Sequence, residues 1–199
     1  VLGGDSGSGC SSLALGIAVR VAQQGHAVAM LSTEMSATRL AERALALSAR
    51  ATLDELAGDG LDDRRRVEIA EVALRLRDLP IGFRAQPIEG WPLDLTQVQD
   101  GWDLLVVDCL TLWLTHWLMP VEEFKENMPP AHTSQAQIAM LLVAIKNAPG
   151  PVVLVGNEIG LGVIPMGREV RAFVDALGRL NQDVAAVCSR VTLMAAGLP

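Results

Sequence analysis

The glycine-rich stretch at residues 4–12 constrains the fold of this 199-residue chain more than any other segment. Its letters, GDSGSGCSS, fit the pattern G-x-x-x-x-G-K-[ST] at every defined position except one, where Cys10 replaces lysine. The glycines allow backbone N–H groups to turn toward an anion, and the helix expected next adds the positive end of its dipole. The sequence therefore predicts a phosphate-binding loop that lacks its usual cation.

Apolar runs alternate with helical patterns along the rest of the chain. Runs typical of strands buried on both faces occur at residues 27–31, 81–84, 104–107, 152–155 and 191–195. Helical spacing or capping signals predict helices at residues 13–24, 36–47, 62–77, 134–147 and 169–187. This order predicts an α/β fold, a single domain over residues 1–199 with a mostly parallel sheet and helices on both faces. Residues 85–101 and 120–133 are expected to be connections, the second of them exposed and mobile.

Composition narrows the class of protein. No apolar run reaches about 18 residues, so no membrane partner is expected. The net charge is −7, which argues against a nucleic-acid surface, and Arg64 to Arg66 are flanked by acidic residues as on a solvated helix face. Three widely separated cysteines indicate a reducing compartment, so a cytoplasmic location is expected.

Polar residues follow four of the predicted strands. They are the glycine loop, then Ser32, Thr33 and Glu34, then Asp108, and finally Asn157 and Glu158. In open α/β sheets, ligands bind at the carboxyl ends of the strands. We therefore expect these groups to converge on one edge of the sheet.

Two carboxylates are the candidate catalytic residues. Asp108 follows an apolar strand, as a magnesium–nucleotide site requires, and Ser11 would supply a second, hydroxyl ligand to Mg²⁺. The alternative is that Asp108 only caps a turn. Glu34 is placed to orient a water or a hydroxyl, or else is only an acid near the next helix N-terminus.

Cys10 has two interpretations. Replacing lysine by a neutral thiol removes a charge-assisted contact worth about 1.5–3 kcal/mol, or roughly ten- to hundred-fold in binding. A thiol at a helix N-terminus also has the position of a reactive nucleophile. The alternative is a tolerated or engineered loss of the lysine.

Residues from about 84 onward resemble the family of bifunctional adenosylcobinamide kinases and adenosylcobinamide-phosphate guanylyltransferases, called CobU or CobP. The similarity lies in PLDL at 92–95, VVDCLTLWLT at 106–115, VVLVGNEIGLGVIP at 152–165 and RAFVDALGRLNQDVAA at 171–186. The resemblance implies phosphorylation of the cobinamide hydroxyl by ATP or GTP, then transfer of GMP. It also implies corrinoid and nucleotide ligands and a possible homo-oligomer.

Residues 1–83 instead resemble the RecA-like motor domain of DnaB-type replicative helicases, through LSTEMSATRLAERALALSARATLDELAGDGLDD at 31–63. That resemblance implies that Glu34 is the catalytic carboxylate. The chain therefore resembles a chimera of two P-loop NTPases of RecA-like character, joined near residues 80–92.

The kinase resemblance also implies a set of binding residues. The nucleotide would contact Gly4, Asp5, Ser6, Gly7, Ser8, Gly9, Cys10, Ser11, Ser12, Ser32, Thr33, Glu89 and Asp108, and the substrate loop would include Asn157 and Glu158. Glu89 is placed with an uncertainty of one residue in the alignment. The cofactor would be Mg²⁺ with GTP or ATP.

Two residues that these chemistries require are missing from the chain. The P-loop lysine is replaced by Cys10, and no histidine lies between His26 and His116, where the family carries its guanylylated histidine. Three hypotheses follow. They are an impaired transferase of cobalamin biosynthesis, a non-catalytic chimeric or designed P-loop scaffold, and a DnaB-like ATPase module.

Overall fold

The computed structural model describes residues 1–58, 60–85, 101–119, 132–162 and 167–198. Its strands are β1 (Leu2–Gly4), β2 (Val28–Ser32), β3 (Ile81–Ala85), β4 (Leu104–Asp108), β5 (Val152–Asn157) and β6 (Thr192–Met194). Its α-helices are α1 (Cys10–Gln23), α2 (Ala37–Ala49), α3 (Leu53–Ala57), α4 (Asp63–Arg77), α5 (Leu110–Leu118), α6 (His132–Lys146) and α7 (Arg168–Val187).

The strands form one six-stranded sheet in the order β3-β2-β4-β5-β1-β6, and every pairing is parallel. Strand β1, which leads into the glycine loop, lies between β5 and β6. The carboxyl ends of β1, β5 and β4 are therefore side by side.

The central strands are buried on both faces. Every residue of β2 and β4 is buried, and their side chains alternate between two apolar clusters. Val28, Met30 and Val106 belong to the cluster on the α1 side, whereas Leu31 and Val107 belong to the cluster on the α6 and α7 side. This alternation follows from the two-residue period of a strand, and it confirms the predicted α/β fold with helices on both faces.

Some elements differ from the expectations. Helix α3 was not anticipated, because five residues carry too little periodicity, although Thr52 and Glu55 form a capping box at its start. The apolar stretch after Asp108 forms helix α5, and α6 begins at His132, two residues before the predicted start. Most of the two predicted connections lies outside the described residues.

The first turn of α2 confirms the predicted cap, since the Ser36 side chain accepts a hydrogen bond from the Arg39 N–H at 3.1 Å. In the part of the chain that the structure describes, no helix is long and apolar enough to cross a membrane.

Candidate functional site

The glycine loop folds as a tight turn between β1 and α1. The Asp5 carbonyl accepts a hydrogen bond from the Ser8 N–H at 3.0 Å, and Gly7 and Gly9 have φ of 82° and 99°, which favour glycine. Gly9 is the N-cap of α1, so no side chain caps this helix, and its first turn contains no acidic residue. The first N–H groups of α1 and its positive dipole end therefore remain available to an anion.

Gly4 is required by close packing. A Cβ at this position would lie 2.7 Å from the Met194 carbonyl oxygen and 3.0 Å from the Cys10 sulfur, and it would also collide with Ser8. The start of the loop therefore packs closely against Ser8 and Cys10 of the same loop and against Met194 at the end of β6.

The Cys10 side chain points into the protein. It is only 5% exposed, belongs to the apolar cluster on the α1 side, and its sulfur lies 3.3 Å from the Ser8 hydroxyl. The position that carries a lysine in the intact motif therefore contributes a backbone N–H and no charge.

Ser11 and Asp108 meet although 97 positions separate them. The Ser11 hydroxyl donates to Asp108 Oδ1 at 3.1 Å, and Oδ2 is buried with no hydrogen-bond partner among the described residues. Burial raises the pKa of Asp108 to about 6, helped by the negative charge of Glu34 and opposed by the Ser11 hydrogen bond and the positive charge of Arg43. Within the described part of the chain, Asp108 Oδ2 therefore has an unmet need for a hydrogen-bond or metal partner.

Glu34 is held beside Asp108 by the turn that follows β2. The Ser32 hydroxyl accepts hydrogen bonds from the N–H groups of Glu34 at 3.2 Å and Met35 at 3.0 Å. Ligand atoms of Glu34, Asp108 and Cys109 all lie within 4.8 Å of one another. This grouping places two carboxylates together, Glu34 from the turn after β2 and Asp108 from the end of β4.

The donor set fits Mg²⁺. Burial raises the pKa of the Cys109 thiol to about 11, and sulfur is a soft ligand of the kind that suits Zn or Cu rather than Mg²⁺. Mg²⁺ prefers oxygen, which Asp108, Glu34 and the Ser11 hydroxyl supply.

The loop after β5 is tied to the rest of the edge. The Glu158 N–H donates to the Gly4 carbonyl at 2.8 Å, and the Asn157 N–H donates to the Thr111 hydroxyl at 2.9 Å. The Asn181 side chain of α7 donates to the Asn157 carbonyl at 3.0 Å and to Glu158 Oε1 at 2.9 Å. Both predicted substrate-loop residues therefore have fixed positions beside β1.

The expected convergence of strand ends is observed. Besides the contacts above, the Thr33 N–H donates to the Asp108 carbonyl at 2.9 Å, and Ser12 accepts a hydrogen bond from Arg43 at 3.0 Å. Of the predicted site residues, Glu89 lies outside the described residues. The sequence patterns did not indicate Arg43, Thr111 or Asn181. Their partners are distant in sequence: Arg43 and Ser12 are 31 positions apart, Thr111 and Asn157 are 46 apart, and Asn181 joins α7 to β5.

Two families match this chain by sequence. The cobinamide kinase / cobinamide phosphate guanyltransferase family matches residues 91–199, and the DnaB-like helicase C terminal domain family matches residues 1–138. The helicase-like segment thus extends beyond residue 83, and the two matches overlap over β4 and Asp108.

Bacterial proteins are among the relatives of this chain. The bifunctional adenosylcobalamin biosynthesis protein CobP of Pseudomonas aeruginosa is 38% identical over 169 residues, covering 81% of this chain and 88% of the relative. CobU of Salmonella typhimurium is 35% identical over 101 residues, covering 48% of this chain and 56% of the relative. The first alignment is longer than the stretch from residue 84 to the end, so it includes part of the front half.

Solved ATPase and helicase structures share the fold. One ATPase domain superposes with a TM-score of 0.64 at 14% identity, over 92% of this chain and 65% of that one. A DnaB-like replicative helicase gives 0.63 at 14% identity, over 92% of this chain and 44% of that one. These likenesses show a RecA-like P-loop fold, and the chain spans less than two thirds of either structure. By its sequence, the chain belongs to the cobinamide kinase / cobinamide phosphate guanyltransferase family, and over residues 1–138 also to the DnaB-like helicase C-terminal domain family.

Proposed function

We propose that this chain binds a magnesium–nucleotide, GTP or ATP, on the glycine loop, and that its reaction is phosphorylation of adenosylcobinamide followed by guanylyl transfer, both impaired. The observation that carries the proposal is the contact between Ser11 and Asp108, with Asp108 Oδ2 buried and unpartnered among the described residues. A buried carboxylate oxygen without a partner costs free energy unless a ligand occupies it.

Each residue has a role in the kinase step. The loop N–H groups and the α1 dipole would hold the phosphates, while Asp108 and Ser11 would hold Mg²⁺. The corrinoid hydroxyl would attack the γ-phosphorus, its proton would leave to a carboxylate or water, and the nucleoside diphosphate would depart. Glu34, which is exposed at the site edge, is the residue we assign to accept or orient that proton.

Asn157 and Glu158 would shape the substrate side of the site. Asn157 is the last residue of β5 and Glu158 follows it; the end of β5 lies between the glycine loop and Asp108, and Asn181 bonds to both residues. A corrinoid seated on this loop would bring its hydroxyl to the edge where the phosphates lie.

Both chemical steps are impaired in this proposal. Cys10 removes the lysine charge, and the family's histidine nucleophile has no substitute among the described side chains. His26 precedes β2 at the opposite edge of the sheet, 3.7 Å from Asp103, and His116 lies on α5 against Trp117. Guanylyl transfer is therefore expected to be lost more completely than phosphorylation.

A non-catalytic scaffold is the second candidate. The burial of the Cys10 thiol in the apolar cluster favours this candidate, because a side chain packed in the core does not contact phosphate. In this case the chain would be a chimera or design that keeps the P-loop architecture without the chemistry.

A DnaB-like ATPase module is the third candidate. The placement of Glu34 beside Asp108 favours it, because this pair suits activation of a water on a metal-bound nucleotide. The net charge of −7 weakens any role on nucleic acid.

Calorimetric titration tests the first proposal. Mg²⁺–GTP and Mg²⁺–ATP are titrated into the unaltered chain and into the Cys10→Lys variant, which should bind roughly ten- to hundred-fold more tightly. Cys188→Lys is the matched control, since Cys188 ends α7 and its charge is added away from the loop.

The outcomes separate the three candidates. Binding to the unaltered chain, tightened by Cys10→Lys and followed by corrinoid phosphorylation, supports the transferase. Nucleotide hydrolysis without any corrinoid phosphorylation supports the ATPase module. No binding at millimolar nucleotide by either protein, with the fold intact by circular dichroism, refutes both and leaves the scaffold.

A further inference from the structure

We propose that Arg43 is the cation of the phosphate site in this chain and supplies charge that lysine provides at position 10 of the intact motif. This inference rests on the proposed nucleotide binding and adds a residue to that site. It concerns helix α2, which neither the glycine-loop motif nor the strand-end pattern includes.

Contact with the loop helix is the first argument. The Arg43 Nη2 group donates to the Ser12 hydroxyl at 3.0 Å, and Ser12 lies in the first turn of α1, where an anion would bind. The guanidinium is therefore tied to the first turn of α1 by a hydrogen bond that crosses from α2.

The remaining hydrogen-bonding capacity of Arg43 is the second argument. A guanidinium carries five N–H donors in a planar fork, and the Ser12 contact uses one of them. Within the described ranges, Arg43 has neither another hydrogen-bond acceptor nor an ion pair with a carboxylate. By contrast Arg39, one turn earlier on α2, is paired with Glu42 at 3.0 Å. As far as the described residues go, Arg43 thus keeps a charge and donors of the kind that phosphate binding uses.

The electrostatics of the site agree with this geometry. Arg43 and Asp108 bond to adjacent residues in the first turn of α1, Arg43 to Ser12 and Asp108 to Ser11, so the positive guanidinium and the carboxylate that would face the metal are held by the same turn. Arg43 is also half-buried, where a charge is screened less than at the open surface.

Cys10 explains why this arginine would matter here. With a lysine at position 10, a second cation at Ser12 adds little, since the phosphates already have a charged partner. With a buried thiol at position 10, Arg43 is left to neutralise charge at the start of α1. The contributions of positions 10 and 43 to nucleotide affinity should therefore be coupled.

A double-mutant cycle on the whole chain measures this coupling. Arg43→Gln keeps an N–H donor for Ser12 and removes the charge, and it is made both in the unaltered chain and in the Cys10→Lys variant. The dissociation constant of Mg²⁺–GTP is measured for all four proteins by calorimetry, with guanosine as the phosphate-free probe. Arg39→Gln is the matched control on the same helix, and circular dichroism and thermal unfolding verify the fold of each variant.

We expect Arg43→Gln to weaken Mg²⁺–GTP binding about tenfold or more in the unaltered chain and about threefold or less in the Cys10→Lys variant, with guanosine affinity unchanged. Arg43→Lys should retain most of the affinity, because it keeps the charge. Arg39→Gln should change little.

Four results would overturn the inference, and the first three of them concern Arg43 alone. The first is an equal loss in both backgrounds, which would mean that Arg43 only supports the loop. The second is no loss in a chain that binds Mg²⁺–GTP, which would leave the proposed function standing without Arg43. The third is binding only after Cys10→Lys, which would show that Arg43 does not replace the lysine. Absence of binding in all four folded proteins would refute the proposed nucleotide site itself, and Arg43 with it.

Discussion

Replacing Asp108 by asparagine should change how the stability of the protein depends on pH. Burial raises the pKa of Asp108 from 3.8 to about 6, so the folded protein binds this proton more tightly than the unfolded chain does. The stabilisation from this proton is present at low pH and is lost as the pH rises from about 4 to about 6. A shift of this size corresponds to about 3 kcal/mol.

Asparagine cannot ionise, so Asp108→Asn removes this loss. It keeps the oxygen that accepts the Ser11 hydrogen bond but places an NH₂ group where Oδ2 is buried without a partner among the described residues, at a cost of about 1–3 kcal/mol. That cost is the same at every pH. The quantity to compare is therefore the difference in unfolding free energy between variant and parent at pH 8, minus the same difference at pH 4.

Urea denaturation at the two pH values gives this double difference. We expect it to favour the variant at pH 8 by about 2–3 kcal/mol. Asp175→Asn, on the exposed face of α7, measures the effect of removing one surface carboxylate. A double difference below about 1 kcal/mol, or one of opposite sign, would contradict the claim that burial dominates the environment of Asp108.

Two further predictions concern packing and hydrogen bonding around the site. Gly4→Ala should destabilise the protein by about 3 kcal/mol or more, because the added methyl overlaps the loop and β6. Gly178→Ala is the control: it adds the same methyl inside α7 with no atom within 4 Å, and it should stabilise the protein by about 0.5–1 kcal/mol. Thermal unfolding measures both variants, and equal effects on stability would refute the packing argument. Thr111→Val removes the acceptor of the Asn157 N–H and should lower the free energy of unfolding, measured in urea, by about 1–3 kcal/mol. Thr111→Ser keeps the hydroxyl and should lower it less. A smaller loss for valine than for serine would refute the importance of this hydrogen bond.

The central sheet could be predicted because its signals are local. The first four residues of β2 and of β4 form uninterrupted apolar runs, which are typical of short strands buried on both faces. Helix α3 could not be predicted, since it is short and is held by its capping box and by an ion pair of Glu55 with Arg65 at 2.7 Å, which the sequence does not bring together.

The candidate site divides in the same way. The glycine loop, Asp108 and Glu34 were predicted from the rule that strand ends converge, and the structure brings them together. Arg43 and Asn181 lie on helices and reach the site through single side chains. Helical periodicity shows which face of a helix is apolar. It does not show whether a polar residue such as Arg43 or Asn181 contacts the site or points into solvent. The inward orientation of Cys10 was equally hidden, because a small apolar thiol suits both a loop and a core.

The order of strands explains how two families can match one chain and still share one site. Residues 1–85, the front segment that only the helicase-domain model matches, form β1, β2 and β3, whereas β4 lies where the two family matches overlap and β5 and β6 lie in the cobinamide kinase match alone. In the sheet these are interleaved, since β1 lies between β5 and β6, and β2 pairs with β4. Ser11 from the front segment can therefore reach Asp108 only if the later strands are correctly paired. The site forms only when both segments pack into one sheet. Nucleotide binding would therefore depend on correct pairing of the strands as well as on the chemistry of the loop.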